Sequence, residues 1–462
     1  MKRQAQTKLD RWISSRRRKP LVLRGARQVG KSTLVRQFCD ERNLTLNEIN
    51  LERHLDLDEV FSTLDMDMIK AELEGILGRP LGTPKSILFL DEIQSTPSAI
   101  QALRYFLEDT PEIPVIAAGS LLEFALSKHT FSMPVGRIEY HHLSPMTFRE
   151  FLDAIDPALC AYLDDLVADS NLPTSAHKRL AARQRQYLCV GGLPEAVLTF
   201  AETGSMEEVK RVHRSILNTY EDDFSKYATQ DRLSLLQRVF RLIPRFVSQK
   251  VKYVNYSREA RSRDVKAAID MLAKAGVSCP VFASRASGVP LHAEVNERSF
   301  KLLFLDVGLM NHACGVDWLA LSRMDEIRLI NEGSVAEQFV GQHLAYVDGG
   351  DEPPRPVYWL CEGRGGSAEV DYVVSRGPDI FPVEVKAGTS GKLRSLHQFA
   401  NKKDLRCAIR FDLNPRSRQR ISHPVPSRHG TETVEMDLIN LPLYAASELG
   451  PILDQLRDYT ID

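Results

Sequence analysis

Residues 21–38 read LVLRGARQVGKSTLVRQF, a stretch whose residue types and spacing imply phosphate chemistry. A short apolar run, Leu21 to Leu23, leads into Gly25, Ala26, Arg27, Gln28, Val29, Gly30, Lys31, Ser32 and Thr33. Leu34, Val35 and Phe38 then share one helical face. The pattern is GxxxxGK[ST] between a strand and a helix, the form of a loop that cradles phosphates. Gly25 and Gly30 allow backbone angles that turn successive N–H groups onto phosphate oxygens. The helix start behind them adds its dipole and unpaired donors. Lys31 is suited to neutralising the β- and γ-phosphates, and the Ser32 hydroxyl to ligating Mg²⁺. ATP with Mg²⁺ is the expected ligand. A chance glycine turn would not combine strand, spacing, lysine and serine.

A second segment, Ser86-Ile-Leu-Phe-Leu-Asp91-Glu92, is an apolar run ending in two acids. It reads as a buried parallel strand reaching its carboxyl edge, where ligands of open α/β sheets sit. Asp91 is placed to hold Mg²⁺ through water and Glu92 to polarise an attacking water. Two acids could also simply open a helix. A third run, Pro114 to Ser120, ends in a small polar residue that either meets the γ-phosphate or caps a helix over Leu121 to Leu126. Arg137 is a candidate to stabilise charge on the γ-phosphate, with an exposed surface arginine as the alternative.

Residues 367–388, SAEVDYVVSRGPDIFPVEVKAG, hold a separate constellation. Two β-runs, Glu369 to Val374 and Ile380 to Val385, flank a turn at Gly377-Pro378. Alternation puts Asp371 on the face of Glu369, and Glu384 on the face of Lys386. Asp…Glu-x-Lys on neighbouring strands is the metal-dependent nuclease pattern PD-(D/E)xK. Asp371 and Glu384 would bind the metal, and Lys386 would activate water or stabilise the phosphate. Glu337, on a preceding helix over 333–343, is a further candidate acid, and Gln398 a lesser one. Valine stands where the motif has proline, before Asp371, and Glu369 adds an acid. The competing interpretation is a surface hairpin with cross-strand ion pairs.

The rest of the chain must position these groups. Its 462 residues exceed one hydrophobic core. With 43% hydrophobic and 26% charged residues and a formal net charge of −1, it has the balance of a globular protein without a global nucleic-acid signature. No stretch has the roughly 20 apolar residues of a membrane span, and the basic start, MKRQAQTKLDRWISSRRRKP, lacks a secretory apolar core. Seven scattered cysteines without a CxxC pair suggest reduced thiols and a cytoplasmic location. Helical spacing marks 144–225. Helices then precede a hairpin expected over Val277 to Ser284 and Leu291 to Val295, a winged-helix pattern. Arg241, Arg245, Lys250, Lys252, Arg258, Arg261, Arg263 and Lys266, interleaved with Tyr253 and Tyr256, suit phosphate contacts. The basic stretch 406–420 reads as a solvated face, His141-His142 as packing or surface, and 438–456 as apolar packing.

Taken together, RGARQVGKSTL, ILFLDEIQ, AAGSLLEFAL, VGRIEYHHLSPMTFREFL, GGLPEAV, KLLFLDVGLM, GSVAEQFV, EVDYVV and FPVEVKAG resemble a large prokaryotic family of AAA+ ATPases. Its members carry a C-terminal restriction-endonuclease-like domain of unknown function. The resemblance implies an α/β multidomain protein: a AAA+ P-loop core (1–143), helical lid (144–225), winged-helix-like domain (226–312), nuclease-like α/β domain (325–430) and packing segment (431–462). It implies ATP binding with Mg²⁺ and hydrolysis, and Ser120 as the sensor 1 residue of such cores. AAA+ proteins often form homo-oligomeric rings in which a neighbour's arginine completes the site. DNA is the expected substrate. The rival is an ATP-driven switch that binds protein partners without phosphodiester chemistry.

Overall fold

The computed structural model describes residues 1–120, 135–226, 230–316, 318, 332–363, 366–388, 393–403, 405, 407–427 and 430–458. The helix expected from Leu121 and the residue Arg406 lie outside them. The chain divides into two compact units, residues 1–145, 271–277 and 348–353, and residues 146–270, 278–347 and 354–462. Among the described residues no helix is long and apolar enough to cross a membrane.

In the first unit, strands β1 (Leu21–Arg24), β2 (Thr45–Asn50), β3 (Ser86–Asp91), β4 (Val115–Ala118) and β5 (Glu139–His142) form a sheet in the order β2-β3-β4-β1-β5. All four pairings are parallel. Every residue of β3 and β4 is buried, as a central parallel strand covered on both faces requires. Leu88, Leu90 and Ala117 pack into one core with Ile100, Leu103 and Phe106 of the helix Pro97–Glu108. Because β1, β3 and β4 run the same way, the segments that follow them leave one edge of the sheet. That common edge gathers the phosphate loop, the acid pair and Ser120. His141 is buried, consistent with packing.

In the second unit, β6 (Ser278–Ser284), β7 (Val295–Phe304), β8 (Val357–Gly363), β9 (Gly366–Arg376), β10 (Asp379–Val385), β11 (Cys407–Asp412), β12 (Ser417–Ser427) and β13 (Gly430–Pro442) make one sheet. Its order is β12-β13-β11-β10-β9-β8-β6-β7. The expected hairpin exists as antiparallel β6–β7, but its second strand starts at Val295, and Leu291–Glu294 is a short 3-10 turn. Burial explains the shift: Ser299 to Phe304 are all buried, whereas the residues chosen from sequence lie beside the turn. Nor is the hairpin a free-standing wing. β6 pairs in parallel with β8, so the hairpin extends the sheet that bears the carboxylates. Similarly, 430–442 is a strand between β11 and β12, and only the segment beyond it packs as expected, through Leu449, Ile452 and Leu453.

The region expected to form a lid is helical: Phe148–Ile155, Cys160–Val167, Thr174–Val190, Pro194–Thr203 and Met206–Asp223. These helices are built into the second unit. Arg149 clamps Glu448 with two 2.8 Å bonds, and the backbone N–H of Phe148 donates to His343 Nε2 at 2.9 Å. The turn Gly191-Gly192 is locked to the helix Val307–Ala313 by buried Asp306, which accepts from the N–H of Gly192 (2.6 Å) and of Leu309 (2.9 Å). A Cβ at Gly191 would fall 1.9 Å from Asp306 Oδ1, and one at Gly308 would fall 2.4 Å from the Gly191 nitrogen. Two sequence segments far apart in the chain are therefore glycine-rich for the same contact. Gln338, on the helix Glu332–Leu344, bonds both the N–H and the C=O of Phe304, covering the open edge of β7.

Candidate functional site

The phosphate loop has the backbone its sequence calls for. Gly25 takes φ +143° and Gly30 φ +88°, and a Cβ at Gly25 would lie 2.4 Å from the Leu143 carbonyl oxygen. Gln28 is also left-handed, at φ 65°. Ala26 and Val29 are buried and anchor the loop, while Gln28 and Thr33 are exposed. Gly30 is the N-cap of the helix Lys31–Glu41 and offers no side-chain cap, so the first-turn N–H groups gain no partner from a capping side chain. Lys31 Nζ donates to the carbonyls of Gly25 (3.1 Å) and Ala26 (2.9 Å). Burial pulls its ammonium down to about 8, against the attraction of Glu92 and Asp91.

Ser32 Oγ donates to Asp91 Oδ2 at 2.8 Å, so the two expected Mg²⁺-side groups meet. Burial raises Asp91 above the usual carboxylate range. This pairing of a hydroxyl and a buried carboxylate beside the loop fits a hard cation. Glu92 sits in the left-handed region at φ 53°, a strained backbone for glutamate and a frequent mark of functional positions. Its Oε2 accepts from Gln94 (2.5 Å) and from Ser120 Oγ (3.4 Å), and Ser120 accepts from Arg27 Nε (3.3 Å). Ser120 is thus brought to the acid pair, beside Arg27 of the phosphate loop and Gln94, the latter a neighbour that residue spacing did not single out. Arg137 behaves differently. It is exposed and paired with Glu108 at 2.7 Å, the arrangement of a surface arginine.

The C-terminal carboxylates also converge. β9 and β10 are antiparallel, and their ladder ends with Tyr372 opposite Val383, so that Asp371 and Glu384 are the next residues on the two strands. Asp371 Oδ2 accepts from the N–H of Val385 at 2.7 Å, and Lys386 Nζ donates to Glu384 Oε1 at 2.5 Å. Glu384 is 5% exposed and its Oε2 has no hydrogen-bond partner. Glu337 enters from the helix Glu332–Leu344, whose Glu337 carbonyl accepts from Tyr372 Oη at 2.9 Å. Burial, and then the charge of Asp371, push Glu337 up to about 8 and Glu384 up to about 7. Asp371 is raised by burial against the pull of Lys301. Gln398 is exposed on the helix Arg394–Lys402.

The sequence reading missed Lys301. It stands on β7, is 4% exposed, and its ammonium contacts Glu369 and lies 3.5 Å from Glu337 Oε2. A single lysine inside the apolar run Phe300 to Leu305 was the available signal, since a buried charge requires a partner. Among the described residues no group of three His, Cys, Asp or Glu side chains is arranged to hold a metal ion. The orphaned Glu384 Oε2 beside Asp371 nevertheless fits a cation held by two carboxylates.

Half of the expected basic patch is ion-paired, while Arg245, Lys252, Arg258 and Arg261 are exposed. Arg241 pairs with Glu221, Lys250 with Glu362, Lys266 with Asp270 and Arg263 with Asp264. Tyr256 is 1% exposed and packs on Phe246, so it presents no face for base stacking.

Residues 17–152 match the family model of an AAA domain. Residues 181–320 and 332–426 match two domains of unknown function, DUF8612 and DUF4143. An uncharacterized protein of Methanocaldococcus jannaschii is 27% identical over 271 residues, covering 56% of this chain and 54% of its own. The chain thus spans about half the length of that curated relative. The Aeropyrum pernix ORC1 protein, solved in complex with DNA, is 12% identical, with 69% of this chain and 94% of that chain covered, at a TM-score of 0.27. The Thermotoga maritima RuvB Holliday junction branch migration motor is 16% identical, with 60% and 88% covered, at 0.28. Similarity at those TM-scores carries no argument. The family match and the loop geometry do: residues 17–152 form an AAA domain of the P-loop ATPase type.

Proposed function

We propose that the chain hydrolyses ATP in its AAA domain and couples that cycle to a metal-dependent nuclease-like site acting on DNA. The observation that carries the second half is the meeting of Asp371, Glu384 and Lys386 across β9 and β10, with Glu337 supplied by the preceding helix. The order of elements supports it: a helix, three antiparallel strands (β8, β9, β10), a helix, then β11 parallel to β10.

In the ATPase half, the loop N–H groups and Lys31 bind the β- and γ-phosphates, and the lysine exchanges two carbonyl bonds for phosphate oxygens. Ser32 and Asp91 hold Mg²⁺, which screens phosphate charge when bound. Glu92 orients and deprotonates the attacking water, with Ser120 and Gln94 fixing its carboxylate. In the nuclease-like half, Asp371 and Glu384 hold the cation, and Lys386 sits beside Glu384, where a phosphate or its attacking water would be met.

A second reading has its own support: both lysines are already ion-paired, and no three-ligand metal cluster is present among the described residues. On that reading the C-terminal sheet recognises protein partners and performs no phosphodiester chemistry. ATP turnover and DNA cleavage, measured together with Mg²⁺ or Mn²⁺ in wild type, Lys31→Ala and Asp371→Ala, separate the two. Cleavage lost in Asp371→Ala with turnover retained supports the nuclease. Turnover stimulated by a protein and indifferent to DNA, with no cleavage in wild type, refutes it.

A further inference from the structure

The carboxylate site contains one more charged group than its motif accounts for. Lys301 belongs to the segment 181–320, whereas Glu337, Glu369, Asp371, Glu384 and Lys386 belong to 332–426. In the sheet order β6 and β8 intervene between β7 and β9, yet the Lys301 ammonium reaches Glu369 and approaches Glu337 Oε2 at 3.5 Å. Its Nζ lies over the ring of Tyr358, 5.1 Å from the centroid, and Tyr358 Oη is held in turn by Ser299 Oγ at 3.0 Å. A lysine this buried loses its hydration, and carboxylates must replace it. Glu369 and Glu337 do so. Glu384 Oε2, nine-tenths buried, has no hydrogen-bond partner.

Charge balance follows. Fully ionised, Glu337, Glu369, Asp371 and Glu384 set four negative charges against the two ammonium groups of Lys301 and Lys386. Two negative charges remain, which one divalent cation cancels. Glu337 Oε2 lies 3.5 Å from the Lys301 ammonium, has no hydrogen-bond partner, and feels the charge of Asp371 as well.

Building on the nuclease-like reading, we infer that Lys301 is the resident cation of this site: a positioning residue that engages Glu337 and Glu369 and leaves Asp371 and Glu384 to a single divalent cation. The two segments of unknown function therefore build one site between them.

The test is Mn²⁺ binding to the nucleotide-free full chain, followed by calorimetry and by the electron paramagnetic resonance of free Mn²⁺. Lys301→Met keeps the volume and removes the charge, freeing Glu337, and tightens Mn²⁺ binding about tenfold. Lys301→Arg retains wild-type affinity. Glu369→Gln, a partly exposed position that tolerates substitution, commits Lys301 to Glu337 and weakens binding about threefold. A lysine with only a structural role would lower affinity in Lys301→Met instead, and that result overturns the inference. Should Lys301→Met not fold, unchanged or tighter binding in Glu369→Gln overturns it equally. Mn²⁺ binding that survives Asp371→Asn intact overturns the metal-site reading as a whole, whereas Asp371-dependent binding with the wrong response to Lys301→Met removes only the role of Lys301.

Discussion

Replacing Lys31 by methionine should make the apo protein more stable while abolishing its response to nucleotide. Burial lowers the Lys31 ammonium from 10.5 to about 8, so holding it charged in the folded chain at neutral pH costs about 3 kcal/mol. Its two bonds to the Gly25 and Ala26 carbonyls return about 1 kcal/mol each. Methionine fills a similar volume without the charge, leaving a net gain of about 1 kcal/mol. For a unit of this size that raises the melting temperature by about 2–4 °C. With Mg·ATP at a hundred times its Kd, wild type gains about 2.7 kcal/mol and the variant gains nothing. The order of stability therefore reverses when nucleotide is added. Differential scanning fluorimetry with and without Mg·ATP, backed by calorimetry, reads both arms. A variant less stable than wild type without nucleotide, or one that keeps the Mg·ATP shift, refutes the argument that this lysine is held charged at a cost for the sake of the phosphates.

Three other outcomes are expected. Glu92→Gln should leave Mg·ATP affinity near wild type and lower turnover about 10²–10⁴-fold, checked by phosphate release against calorimetry; equal turnover would remove Glu92 as the base. Burial raises Asp306 from 3.8 to about 6 despite the N–H groups of Gly192 and Leu309. The folded chain thus takes up that proton before the unfolded chain does, and the contribution of Asp306 to stability grows as pH falls from about 6 to about 4. Relative to Asp306→Asn, wild type should gain up to about 3 kcal/mol across this window in urea unfolding, and a flat difference would contradict the buried charge. Gly341→Ala places a Cβ 2.3 Å from Tyr372 Oη and should destabilise the second unit by about 1–3 kcal/mol, with denaturant midpoints as the measure. An unchanged midpoint would show that Tyr372 has room to move.

The two residue constellations were legible because each rests on a local pattern. Gly25 to Ser32 needs only one strand, one turn and one helix, and positive φ at Gly25 and Gly30 follows from the glycines themselves. Asp371, Glu384 and Lys386 needed only strand alternation and one tight hairpin. Glu92 and Ser120 were found as strand ends, and their shared edge follows once β1, β3 and β4 run parallel.

What stayed hidden depends on pairings distant in the chain. Nothing near Ser278 says that β6 will add to β8, some eighty residues on, and turn an expected wing into part of the carboxylate sheet. Residues 430–442 looked like packing because an apolar run has the same composition as a strand core and as a helix face. Among the cations from Arg241 to Lys266, spacing could not show that Arg241, Lys250 and Lys266 would lie beside Glu221, Glu362 and Asp270. Lys301 is the sharpest case. A charge in an apolar strand announces that it has a partner, but only the tertiary arrangement of β7, β9 and the helix Glu332–Leu344 decides that the partners are Glu337 and Glu369. Local backbone geometry and side-chain type are properties of short segments; which charges neutralise one another is decided only when distant strands meet.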